Sequence, residues 1–155
     1  GVPQDSAEAV KWWRLAAAQG YAPAQYNLGL MYEKGLGVPQ ENAEAMKWFR
    51  LAAEQGYAEA QTSLGLMYHD GRGVPQDYVK AHVWWHLAVY QIADDIIANR
   101  DEVRGLLNHA DICEKAIGNL NIVAGLMTPS QIEEAQRLGW QASQDSRREW
   151  LAAHP

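Results

Sequence analysis

The sequence predicts an all-α solenoid built from helix–turn–helix units of 36 residues, and three observations predict it. Gly-Val-Pro-Gln stands at Gly1, Gly37 and Gly73, a spacing of 36 each time. Residues 1–36 and 37–72 align without a gap at 25 identical positions. Within each unit the apolar residues recur every three or four positions, the period of one helical face. Self-similarity at a period of roughly 20–50 residues is the mark of a stacked array, in which each unit buries its apolar face against the next.

Composition permits such an array. The chain has 155 residues, 48% of them apolar and 21% charged, as in an ordered domain with a core of its own. Net charge is −6, from 13 basic against 19 acidic residues, which argues against a surface made for nucleic-acid phosphates. One cysteine excludes an internal disulfide. No apolar run approaches the roughly 18 residues of a membrane span.

The elements follow in order. From Asp5, the residues Ala9, Trp12, Trp13, Ala16, Ala17 and Gly20 form one core-facing stripe. Asp5 with Glu8 three residues later predicts a capping box, while Glu41 in the second copy is a poorer cap. Gln19-Gly20 closes this helix. A second helix spans about Pro23 to Glu33, with Ala24, Leu28 and Tyr32 spaced by four and Gly29 letting a neighbour approach closely. Gly35 to Pro39 makes the next turn. The third copy keeps Gly73 to Gln76, Ala81, Trp84, Trp85, Leu87 and Ala88, then diverges after Gln91. The doublets Trp12-Trp13, Trp48-Phe49 and Trp84-Trp85 recur at a fixed place, which predicts core packing rather than a ligand cage.

The pattern from Ala24 through Leu28-Gly29, Tyr32, Gly35, Gly37-Val38-Pro39, Asn42, Ala45, Trp48-Phe49 and Ala52-Ala53 to Gln55-Gly56 resembles the Sel-one-like repeat (SLR) family, relatives of tetratricopeptide repeats. The resemblance covers residues 1–91: the second helix of one unit, then units starting near 21 and 57. It implies a right-handed α-α superhelix whose concave face is formed by the first helix of each unit. It also implies a scaffold, adaptor or peptide-binding module of bacterial type, in a family with several periplasmic or exported members. The chain lacks the cysteines of the disulfide-bearing relatives. Its start at Gly1, inside a unit, is the start expected of a truncated chain, so the lack of a signal peptide carries no information on location.

Residues 92–155 predict a helical cap. Ile92, Ile96, Val103 and Leu107 keep helical spacing, as do Ile112, Ala116, Leu120, Val123 and Met127. Thr128-Pro129-Ser130-Gln131 is a helix start with a Thr cap, Pro at the first position and Gln three after the cap. The stretch 107–118 reads as an insertion, and Asp145 to His154 as one more short helix. Ile96, Val103, Leu107, Leu120 and Val123 would face inward, with Asp101, Glu102, Glu133, Glu134 and Arg137 outside.

Catalytic, cofactor and metal sites are expected to be absent. His82 and His86 stand at i and i+4, a spacing that suits two zinc ligands, but no third ligand has recognisable spacing. They replace Val10/Met46 and Arg14/Arg50 of the other copies, so the expectation is one partly packed and one exposed histidine. No nucleophile motif or phosphate-cradling loop occurs, and Cys113 sits on an apolar face where an inert thiol is usual. Asp94-Asp95 and Glu133-Glu134 point apart on a helix.

Surface geometry remains. Matching Leu28 and Leu64 to the family's leucine implies groove-facing positions at Pro23, Tyr26, Asn27, Leu30, Glu33 and Lys34. The next unit contributes Glu59, Thr62, Ser63, Leu66, His69 and Asp70. Many of the differences between the two copies fall among these positions, which suits a ligand surface, although drift of exposed residues predicts variation too. Their net charge of −2 leans toward a neutral or basic protein or peptide segment, with no nucleic-acid partner. The alternatives are a structural piece of a longer array without its own ligand, and a hydrolase or metal-dependent protein using His82 and His86.

Overall fold

The structure, a computed structural model, describes residues 2–98 and 103–145, with side chains from 5–95 and 110–145. The chain folds as α1 (Val2–Ala18), α2 (Ala22–Lys34), α3 (Asn42–Glu54), α4 (Ala58–Asp70), α5 (Tyr78–Ala98), α6 (Val103–Ala124) and α7 (Pro129–Gln144), with no strand among the described residues. It is the all-α repeat solenoid that the 36-residue period predicts. Successive helices from α1 to α5 pack in chain order, and α6 and α7 both pack on α5.

The unit boundaries are close approaches. Phe49 of α3 lies on Gly29 of α2, and Trp85 of α5 lies on Gly65 of α4. The main core runs from Ala45 and Phe49 through Leu64 and Met67 to Trp84, Trp85 and Leu87, then takes in Val123 of α6 and Ala135 of α7. A smaller core of Val10, Ala17, Ala24 and Leu28 joins α1 to α2, and Trp48 of α3 packs against it.

Polar ties repeat with the same period. Gln25 and Gln61 are buried, and each donates to the last turn of the helix before it, at Ala17 O and Ala53 O, both at 3.2 Å. Gln55 then donates to Gln25 Oε1 at 2.7 Å, linking two units. Gln91, one repeat later, instead donates to Asp95 at 2.7 Å, and Gln61 Oε1 is left buried without a hydrogen bond. The cause is local. After Gln55 the chain turns at Gly56, with φ 87°, whereas Ile92 stands at that place in the third copy and α5 continues to Ala98. The change of pattern at residue 91 therefore lies inside one helix.

Several expectations are corrected. Asp5 does not cap α1, which begins at Val2 and leaves Asp5 inside its first turn. Gly37 and Gly73 hold the corresponding Gly-Val-Pro turns against the backbones of Ser6 and Asn42. Glu41 makes no side-chain cap, as its length predicts, while the shorter Asp77 accepts from the Lys80 N–H at 3.0 Å. Trp12 is 67% exposed rather than core, in contrast to Trp84 and Trp85. The apolar run through Ile92 and Leu107 is divided between α5 and α6, which pack against each other. The side chains of Ile96, Asp101, Glu102, Val103 and Leu107 lie outside the described residues. Helix α6 passes through 107–118 without a break. The Thr128 capping box forms as its spacing predicts. Asp145 is extended, with ψ 153°, and the helix expected over the following residues lies outside the described ones.

Candidate functional site

Helices α2 and α4 carry the groove candidates at equivalent positions, and the side chains there form two clusters. In the first, Tyr26 is half-buried with its ring 5.6 Å from Phe49 and 5.3 Å from Tyr57, centroid to centroid. Burial pushes the Tyr26 phenol up, a hydrogen bond with Ser63 opposes this, and the nearby carboxylates of Glu59 and Glu33 add to it. The Tyr57 phenol is pushed up to about 12, by burial first and then by Glu59, Tyr26 and Tyr21. Tyr26 and Tyr57 thus form one aromatic pair near the Glu59 carboxylate. Tyr21 is exposed.

The second cluster crosses the unit boundary. Arg72 donates through Nη1 to Glu33 Oε1 at 2.7 Å and its Nε lies 3.3 Å from Asp70 Oδ2. His69 Nδ1 lies 2.8 Å from Asp70 Oδ1, and the imidazole stacks near Tyr78 and Trp85, at 5.5 and 5.9 Å. Its Nε2 is buried without a hydrogen bond.

The remaining candidates divide between packing and surface. Leu30 is half-buried against the core. Thr62 donates its hydroxyl to Ala58 O at 3.0 Å, and its carbonyl accepts the Trp85 indole N–H at 3.0 Å. Pro23 and Asn27 are half-buried, while Lys34 and Leu66 are exposed. Arg72 adds a cation that the sequence tally of the groove omitted, so two cations now face three carboxylates. Tyr57, absent from the sequence-predicted groove positions, joins the first cluster through its ring contact with Tyr26. Its 36-residue counterpart is Tyr21.

His82 and His86 lie elsewhere. His82 is buried with Nδ1 lacking a hydrogen bond. His86 is half-buried rather than exposed: a Cβ on Gly139 of α7 would come within 3.0 Å of its ring. Burial pushes both imidazoles below their ordinary value, with His86 adding to the effect on His82. Among the described residues no group of three His, Cys, Asp or Glu side chains is placed to hold a metal ion. Cys113 is half-buried on α6, and no described helix is long and apolar enough to cross a membrane.

Comparison with known proteins matches the family described as Sel1 repeat over residues 1–21, 22–57 and 58–91. Among solved structures, the chain is similar to a protective antigen present in uropathogenic Escherichia coli strains and displaying an SLR fold. The identity is 32% and the TM-score 0.77, over 99% of this chain and 29% of that one. It is also similar to a Sel1 repeat protein from Oxalobacter formigenes, at 41% identity and TM-score 0.52, over 57% of this chain and 37% of that one. The chain thus spans about a third of the length of these relatives. No curated protein matches it.

Proposed function

The chain belongs to the Sel1 repeat family, whose repeats generally mediate protein–protein interaction and are typically non-catalytic, and from that premise we propose that it binds an extended protein or peptide segment along the concave side of α2 and α4. The observation that carries this reading is the Tyr26–Tyr57 ring pair, 5.3 Å between centroids, with the Glu59 carboxylate near both. Tyrosines offer large, stiff contact area and a polar tip at low entropic cost. The Glu59 carboxylate favours a neutral or basic segment over an acidic one. Pro23, Asn27, Ser63, Lys34 and His69 then supply the register, since these are places where the two units differ.

The test is an array of neutral, lysine-bearing and glutamate-bearing dodecapeptides probed with the wild type and Glu59→Lys. Retained peptides should be neutral or basic, and Glu59→Lys should lose the basic ones severalfold. Preference for glutamate-bearing peptides, or equal binding by the variant, would contradict the reading. A second reading, a segment that stacks on further repeats, is favoured by the exposure of Trp12, whose counterpart Trp48 packs on the helices before it.

A further inference from the structure

A cleft of about 490 Å³ opens between the start of α3, the end of α4 and the turn leading into α5. Its apolar wall comes from Met46, Val74 and Tyr68, and Lys47, Arg50 and Lys80 line it as well. One carboxylate, Asp77, is present, and it is engaged in capping α5 through the Lys80 N–H. The cations have partners of their own. Lys47 pairs with Glu44 on an exposed helix face, Arg50 reaches Glu54 at 3.3 Å, and Lys80 Nζ stands 5.5 Å from the centre of the Tyr68 ring. Such solvent-facing pairs are weak and exchange readily for a better anion. The positive end of the 21-residue α5 adds to the same field.

The preceding unit provides an internal comparison. Moving back by 36 residues places Lys11, Arg14, Tyr32 and Glu41 where Lys47, Arg50, Tyr68 and Asp77 stand, but Glu44 where Lys80 stands. In that unit Arg14 donates to the Tyr32 hydroxyl at 2.7 Å. A single position therefore exchanges a carboxylate for a cation at the cleft, in a chain whose net charge is −6.

We propose that this cleft is a second binding site that takes an acidic peptide segment. Carboxylates meet Lys47, Arg50 and Lys80, and an intervening apolar side chain lies against Met46 and Val74. The mixed wall favours a peptide over a bare inorganic anion, which would leave the apolar part uncovered. The site is separate from the α2–α4 site and prefers the opposite charge, so the two readings fail independently.

The test is an NMR titration of the isotope-labelled full chain with a capped Glu-Leu-Glu-Ser-Glu peptide, its Lys-Leu-Lys-Ser-Lys counterpart and inorganic phosphate. The acidic peptide should shift resonances at the start of α3 and in the turn 73–77, and the basic one should not. Its affinity should fall at least tenfold in Lys80→Glu, which restores the charge of the first copy, and at least threefold in Lys47→Ala. If Lys80→Glu perturbs the fold by circular dichroism, the exposed Lys47→Ala decides. Equal binding by wild type and variants, shifts confined to other helices, no binding at millimolar peptide, or displacement by equimolar phosphate would each overturn the proposal.

Discussion

Trp85 covers Gly65 so closely that a Cβ on the glycine would come within 2.6 Å of Trp85 Cδ1. The indole N–H meanwhile donates to Thr62 O on the same helix, at 3.0 Å. The ring is therefore fixed both by contact and by a hydrogen bond, and it cannot yield to a methyl group without losing the bond. Phe49 and Gly29 repeat the contact one unit earlier, at the same 2.6 Å.

Gly65→Ala should accordingly cost about 1–3 kcal/mol through overpacking. Gly118→Ala is the control, in mid-α6 with nothing within 4 Å of the added methyl. It should be neutral or stabilise by about 0.5–1 kcal/mol, since alanine is the better helix former. Urea unfolding of both variants decides, and equal losses would show that the glycine–indole contact is not the constraint.

The tryptophans should divide by place rather than by motif. Trp85→Ala, at 1% exposure, should lose about 3–5 kcal/mol. Trp12→Ala, at 67% exposure, should stay within about 0.5 kcal/mol of wild type. Matched losses in thermal unfolding would mean that Trp12 is packed as the later copies are.

Acid should weaken the protein through His82 and His86. Burial holds both pKa values below the ordinary value of about 6.5, so the unfolded chain takes up protons first as pH falls. Their contribution is complete above pH of about 6.5 and declines below it. His82→Met, which copies Met46, should flatten this decline between pH 7 and 5. A melting temperature that rises on acidification through this window would contradict the assignment.

Residues beyond α5 should behave as the cap of the array. Val123 and Ala135, both at 0% exposure, join Leu87 in the core, while Glu133, Glu134 and Arg137 are exposed on α7. Ending the chain after Ala98 should give an aggregating or poorly soluble fragment, because a terminal unit must hide its apolar face. A monomeric fragment with unchanged melting would make α6 and α7 an independent appendage.

The architecture was legible because it rests on local, repeated rules. Leu28-Gly29 and Leu64-Gly65 announce close packing, Gly56 announces a turn, and Thr128 to Gln131 announces a helix start. What escaped depends on neighbours that one unit cannot display. Trp12 and Trp84 occupy the same repeat position, yet only Trp84 is covered. Gln91 reads like Gln55 but turns to Asp95, because α5 does not end beside it. The ring contact of Tyr57 with Tyr26 likewise joins two units, and neither copy displays it alone.

The most direct measurement of the central claim is an NMR map of a neutral or basic peptide retained by the array, titrated into the labelled full chain. The account predicts shifts concentrated on α2 and α4, at Tyr26, Asn27, Tyr57, Glu59 and Ser63, with little change in α6 and α7. Shifts concentrated on α6 and α7, with the α2 and α4 resonances unmoved, would contradict it.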